Sequence, residues 1–392
     1  MFKLKSFIYG LITKIFSVYK ICKVKNIILF ESLPSYSDNS KFIFDELIER
    51  KINEKFIIYW IVNDGDGQLI PLLKNVKVLD LNAGGLIKRI FARARLTKLE
   101  YTAKVFIMSN KFLYKRRDGQ RSINLAHGAA LKNCSGHYNL PDCVDSVMCL
   151  SNYLAEFDAV NFNCDEEKML PLGYPRNDLL FGEKIDLHKF FSAANFDKAV
   201  YWMPTYRQHK NGKYNTSSIS FPIIYDEKIA ERISQKAAEE RVLIIIKPHP
   251  AQDMSRITKL NLQNIVFIDN EFLSKNRLEN YELLRSVDAL ISDYSSVYYD
   301  YLLCDKPIGL CFDDFEEYSS NEGFTVDPDF ILAGGEKLYN AQDLCDFIGR
   351  IAVNQDILIE KRNEIKKLCH TFCDNKSTQR VTDYILEQLN NY

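Results

Sequence analysis

Short runs of branched and aromatic residues alternate with helical patterns along almost the whole chain. Such alternation restricts the fold to parallel β-sheets covered by helices on both faces. Residues 26–30, 56–62, 76–79, 104–108, 123–126 and 146–150 read as strands of a first series, with a helix over 41–51. Ser151 and Asn152 are placed to cap a further helix. A second series opens near residue 197, with strands 199–203, 242–246, 265–268, 289–291 and 308–312 and helices 226–241 and 280–287. Each series has the size of one doubly wound domain, and 392 residues exceed one ordinary core. The best linker is 175–189, which carries Pro175 and Gly182. The expected fold is therefore α/β: two Rossmann-like domains, 26–185 and 186–392, facing a cleft.

Within that frame the stretch from Leu290 to Ile308 is the most informative. A short apolar strand delivers Ser292, Asp293, Ser295 and Ser296, a helical pattern follows, and Asp305-Lys-Pro307 ends it. Hydroxyls and unpartnered backbone N–H groups thus gather where a strand meets a helix N-terminus, which favours an anion. An ordinary N-cap would look the same. Ligands of open parallel sheets sit outside the carboxyl ends of the strands, where most polar motifs of this chain fall.

Charge and cysteine content narrow the function. A net charge of −1 argues against a general nucleic-acid binder, which is usually strongly basic. The ten cysteines form no CxxC pair and read as reduced core residues of a cytosolic protein. Cys369, His370 and Cys373 lack a second ligand pair, so they read as structural and not as a metal site. No Asp-x-Asp, HExxH or Walker loop occurs, so no protein-bound metal is expected. Mg²⁺ accompanying a nucleotide stays open.

The N-terminus differs in kind. Over 1–25, Leu4, Phe7, Ile8, Leu11, Ile12, Ile15, Phe16 and Tyr19 share one half of a helical wheel. Six lysines accompany them, with no acid before Glu31. This predicts an amphipathic helix lying on an anionic membrane surface, at the inner face of the cell membrane. A helix packed on its own domain is the plainer alternative. Lys14 interrupts the apolar run, which fits a signal peptide poorly, and no stretch approaches the ~20 apolar residues of a membrane span.

Five further segments stand in a fixed order: Glu31-Ser-Leu-Pro-Ser-Tyr-Ser-Asp-Asn39, His127-Gly-Ala-Ala-Leu-Lys132, Gly173-Tyr-Pro-Arg-Asn-Asp178, Met203-Pro-Thr-Tyr-Arg207 and Lys247-Pro-His-Pro250. Together with the 290–308 block and the tail Asp374-Asn-Lys-Ser-Thr-Gln-Arg380, they resemble the CDP-glycerol glycerophosphotransferase family of teichoic-acid primases and polymerases. The resemblance spans roughly residues 26 to 388. It implies the GT-B architecture, with the helices from Ala341 onward packing partly across the domain junction, a CDP-glycerol or other CDP-polyol donor, and a lipid-linked or polymer acceptor in teichoic-acid-like or capsular polymer synthesis.

It also implies roles. His127 follows a strand beside the small Gly128 and matches the family's general base, with Lys132 supporting. Ala126, Ala129 and Ala130 depart from the family pattern, which bears on the acceptor. Lys247 and His249, set in a loop stiffened by two prolines, are placed to meet a pyrophosphate, and His249 counts with His127 as an expected catalytic residue. Thr205 and Arg207 offer a hydroxyl and a fork for phosphate. Ser292, Asp293, Ser295 and Ser296 complete the donor side, while Arg176 and Asp178 read as structural residues between domains. Two rival readings remain: a GT-B glycosyltransferase using a nucleotide sugar, and an inactive binding protein of envelope assembly.

Overall fold

The computed structural model describes residues 17–135, 139–205, 221–249, 252, 254 and 257–390. They divide into two compact units. Unit 1 holds 17–129, the described part of 135–178, and 374–390; unit 2 holds 130–134 and the described part of 179–373. The expected boundary at 185/186 compares with a crossing at 178/179, and the chain crosses three more times.

Unit 1 is a seven-stranded parallel sheet. Its strands are β1 (Ile27–Glu31), β2 (Ile57–Val62), β3 (Val76–Asp80), β4 (Val105–Met108), β5 (Arg121–Asn124), β6 (Ser146–Met148) and β7 (Met169–Leu170). They lie in the order β3-β2-β1-β4-β5-β6-β7. Helices α1 (Asp38–Glu49), α2 (Leu86–Thr102) and α3 (Asn152–Phe162) accompany them. Every residue of β1 is buried, as a central strand covered on both faces requires. Its Phe30 stacks on Trp60 of β2 at 5.2 Å. Ser151 caps α3, its Oγ accepting from Leu154 N at 3.2 Å. The closing helix, Ser377–Asn390, belongs to this unit because Asp178 caps it. The Asp178 carboxylate accepts from Ser377 N at 2.9 Å and Thr378 N at 2.8 Å.

Unit 2 repeats the plan with β8 (Lys198–Trp202), β9 (Val242–Ile246), β10 (Ile265–Phe267), β11 (Ala289–Ser292), β12 (Ile308–Cys311) and β13 (Glu336–Leu338). Their order is β10-β9-β8-β11-β12-β13, all parallel. Helix α4 (Glu227–Glu239) lays Ile233 and Ala237 on Ile244 and Ile246 of β9, and α5 (Val297–Leu302) follows the serine motif. Helix α6 (Ala341–Ala352) adds Phe347 and Ile348 to the same core. Each such side chain contributes about 1.5–3 kcal/mol on burial.

In both sheets the strand order reverses at one place, between β1 and β4 and between β8 and β11. Connections leave those neighbours in opposite directions, so a crevice opens at their C-terminal ends.

The expected strands are found within a residue or two, with an instructive exception at β5. It ends at Asn124, because Ala126 takes a left-handed φ of 53° that no strand continues through. Helix α2 and the short edge strands β7 and β13 were not anticipated. The expected helix over 1–25 lies mostly outside the described residues; Ser17–Ile21 forms a short 3-10 helix.

Candidate active-site residues in each unit

His127 stands exposed just past β5, and its backbone is held from three directions. Asn39, at the start of α1, donates its amide to Leu125 O and Ala126 O, both at 3.1 Å. Asn124 Oδ1 accepts from Ala126 N at 2.7 Å. Arg176 Nη1 reaches His127 O and Asp38 Oδ1, both at 2.8 Å, while its backbone N–H donates to Asn39 Oδ1. A left-handed alanine costs roughly 1–2 kcal/mol, and such strain persists where surroundings over-determine it. Here it turns the chain so that the imidazole leaves the sheet edge. His127 Nδ1 lies 3.2 Å from Ser109 O. A carbonyl only accepts, so Nδ1 carries the proton and Nε2 is the basic nitrogen.

Glu31 closes β1 at the reversal point of the same sheet and is wholly buried. Its Oε2 accepts from Asn110 N at 3.1 Å and Lys111 N at 2.8 Å. Its Oε1 is buried without a hydrogen-bond partner among the described residues. Burial pushes its pKa up to about 7, against the pull of those two N–H groups and the Lys111 charge. Nothing in sequence reasoning gave Glu31 a role, although an acid ending the apolar run 27–30 was a visible signal.

In unit 2 the motif residues converge on the reversal between β8 and β11. Asp293 Oδ2 accepts from Thr205 N at 2.8 Å and Thr205 Oγ1 at 2.9 Å. Ser292 Oγ donates to Met203 O at 2.9 Å. Both Ser292 and Asp293 are wholly buried, so they brace the two strand ends against each other. Of the four polar residues Ser292, Asp293, Ser295 and Ser296, the two serines at the start of α5, Ser295 and Ser296, keep exposed surface. Its tyrosines are anchors. Tyr298 donates to Ile331 O, and Tyr299 donates to Ala130 O, tying the 130–134 segment to this unit.

That tie places Lys132. Paired with Phe324 through an isolated bridge, it lies near enough to His249 for its charge to act there. Lys247 follows β9 half-buried, and His249 is exposed. Burial first, then the charges of Lys132 and Lys247, hold the His249 pKa below the ordinary imidazole value. Beside them a cavity of about 560 Å³ is lined by Lys247, Pro248, His249, Phe267, Asp269 and Phe272. Lys132, Lys247 and His249 thus gather cationic or donor groups in one region of unit 2. His127, Gly128, Arg176 and Asp178 belong to unit 1, and the last two bond within that unit. Arg207 lies outside the described residues. His370 is a core residue, its Nε2 bonded to Tyr299 O at 2.8 Å. Among the described residues no group of three or more His, Cys, Asp or Glu is arranged to hold a metal ion.

Residues 13–387 match the family described as CDP-glycerol:poly(glycerophosphate) glycerophosphotransferase. The teichoic acid ribitol-phosphate polymerase TarK of Staphylococcus aureus is 23% identical, over 97% of this chain and 72% of that protein. A teichoic acid glycerol-phosphate primase of Bacillus subtilis is 23% identical, over 90% of each. The solved structure of the wall teichoic acid polymerase TagF superposes with a TM-score of 0.71 at 21% identity, covering 99% of this chain and 96% of that one. At such identity the structural likeness bears on the fold alone, the GT-B-like pairing of two parallel-sheet α/β units.

Proposed function

The chain belongs to the CDP-glycerol:poly(glycerophosphate) glycerophosphotransferase family, and from that membership we propose that it moves a polyol phosphate from a CDP-activated donor to a hydroxyl of a lipid-linked or polymer acceptor. CMP leaves, and the product is a teichoic-acid-like polymer. What carries this reading is the reach of the family match. Residues 13–387 take in His127 at the sheet edge of unit 1 and Lys247 with His249 at that of unit 2.

The chemistry follows from the groups present. The acceptor hydroxyl gives its proton to His127 Nε2, and its oxygen bonds to the phosphorus next to the polyol. The bond from that phosphorus to the CMP oxygen breaks, and CMP departs with the electron pair. Alcohol and CDP-polyol become phosphodiester, CMP and a proton. Transfer of this kind depends on positioning and charge neutralisation more than on covalent work by the protein. Lys132, Lys247 and His249, with the hydroxyls of Thr205, Ser295 and Ser296, supply these for the diphosphate, and Arg207 is assigned to the same task. The test is incubation with CDP-glycerol, CDP-ribitol and UDP-sugars in the presence of acceptor. CMP release from a CDP-polyol is expected; UDP release alone would move the chain to the nucleotide-sugar transferases.

The depressed His249 pKa gives a second test. In the free protein burial, and after it the charges of Lys132 and Lys247, disfavour the imidazolium, whereas a bound diphosphate reverses the sign of the local charge. Donor binding between pH 6 and 7 is therefore expected to take up protons. Calorimetry in buffers of differing ionisation enthalpy measures this, and His249→Gln should abolish the uptake. No uptake in the wild type removes His249 from the diphosphate.

The membrane assignment draws support from α2. Leu86, Ile87 and Phe91 are each about 70% exposed or more, with Lys88, Arg89 and Arg93 on the same turns. Apolar and basic side chains together suit an anionic lipid surface at the cytoplasmic face, near a lipid-linked acceptor. Among the described residues no helix is long and apolar enough to cross a membrane. Replacing Leu86, Ile87 and Phe91 by Gln should weaken binding to phosphatidylglycerol vesicles at least tenfold while leaving the melting temperature in place. Undiminished sedimentation of the triple variant with vesicles would clear α2 of this role.

A further inference from the structure

We infer that Glu31 is a positioning residue that tunes His127 through a single peptide group, the one joining Ser109 to Asn110. The inference rests on the reading of His127 as the base. The N–H of that peptide donates to Glu31 Oε2 at 3.1 Å, and its carbonyl meets His127 Nδ1 at 3.2 Å. Amide resonance couples the two ends of the group. An ionised Glu31 draws on the N–H, density moves to the Ser109 oxygen, and the bond from Nδ1–H tightens. His127 Nε2 then becomes more basic. Hydrogen bonds in series polarise one another in this way, most strongly where water is excluded. A carboxylate that orients a catalytic histidine by direct contact has the same effect; here one peptide stands between them.

Each link is held in place. Lys111 N gives Oε2 a second donor at 2.8 Å. Ser40 Oγ donates to Glu31 O at 2.7 Å and lies 2.8 Å from Ser109 Oγ. Asn110 Oδ1 accepts from Leu33 N at 3.0 Å. Glutamine would accept the same two N–H groups without carrying a charge into the interior, so the acid adds only its ionisation. With its pKa at about 7, Glu31 changes charge near neutral pH. Charged groups on the surrounding elements include Lys111 after β4, whose charge acts on Glu31, Asp38 at the start of α1 with its partner Arg176, the Lys41–Asp45 and Arg50–Glu46 pairs of that helix, and Asp64 after β2, which is bonded to Ser35.

The experiment is ¹⁵N-imidazole NMR of the full chain. In Glu31→Gln the titration midpoint of His127 should fall by about 0.5–1, since a nearby negative charge has been removed, with the Nδ1–H tautomer retained. The kcat for CDP-glycerol should fall several-fold, its acid limb should move to lower pH, and KM should stay. A loosened loop alone would not move the midpoint. An unchanged His127 midpoint in the folded variant overturns the proposal. The wild type supplies a check that needs no variant. The Asn110 amide proton and the His127 Nδ1 signal should both report a midpoint at about pH 7. Silence of His127 at the Glu31 midpoint overturns the coupling. Because the NMR arm reads the free protein, its result stands whether or not a CDP-polyol is turned over.

Discussion

Replacing His127 by alanine is expected to lower turnover by about 10²–10⁴-fold, which corresponds to roughly 3–5 kcal/mol of transition-state stabilisation. The ring is exposed, and the strained turn beneath it is held by backbone bonds from Asn39, Asn124 and Arg176. The fold should therefore survive, with a melting temperature near that of the parent. Donor affinity should survive too, because the groups assigned to the diphosphate belong to unit 2. His127→Asn sharpens the test, since its amide keeps a donor for Ser109 O but offers no basic nitrogen. Both variants should bind CDP-glycerol by calorimetry and fail in transfer. Turnover within tenfold of the parent in either one would remove His127 from the base role.

What was legible beforehand follows the range of the interactions. A parallel strand is buried on both faces, so β9 reads as one uninterrupted apolar run, Val242–Ile246, and its bounds were found at once. The polar residues at strand ends announced themselves for the same reason: a break in the apolar run is where the sheet ends and ligands gather. Hidden from sequence was everything set by distant partners. Lys132 sits five residues from His127, yet it belongs to unit 2, because Tyr299 holds Ala130 and Phe324 pairs with Lys132. Ser292 and Asp293 look like phosphate ligands beside Ser295 and Ser296, but the first pair is turned inward to Met203 and Thr205. Helix α2 escaped notice because its first turns have no buried face to impose a period. Glu31 reaches the 109–111 turn across 79 residues of sequence, a link no local pattern encodes.

The largest stability effect is expected at Arg176. Its guanidinium is 8% exposed and pairs with Asp38, whose side chain is 19% exposed, while the same Nη1 bonds His127 O. Arg176→Ala leaves the Asp38 carboxylate confined without its cation and the His127 carbonyl without its donor. Breaking a buried pair from one side costs about 3–5 kcal/mol, and partial exposure of Asp38 sets the expectation near the lower end, about 3 kcal/mol. Asp38→Asn should cost less, since asparagine also tolerates the left-handed φ of 54° found there. The double variant Arg176→Ala, Asp38→Asn should then lose less than the sum of the two, because the stranded charge is gone. Turnover separates the two roles of Arg176. The double variant regains stability, but His127 O still lacks its donor, so transfer should stay low while KM for the donor holds. Urea denaturation with initial rates measures both. If the double variant recovers turnover along with stability, Arg176 serves the fold alone, and the hold on the His127 turn rests with Asn39 and Asn124.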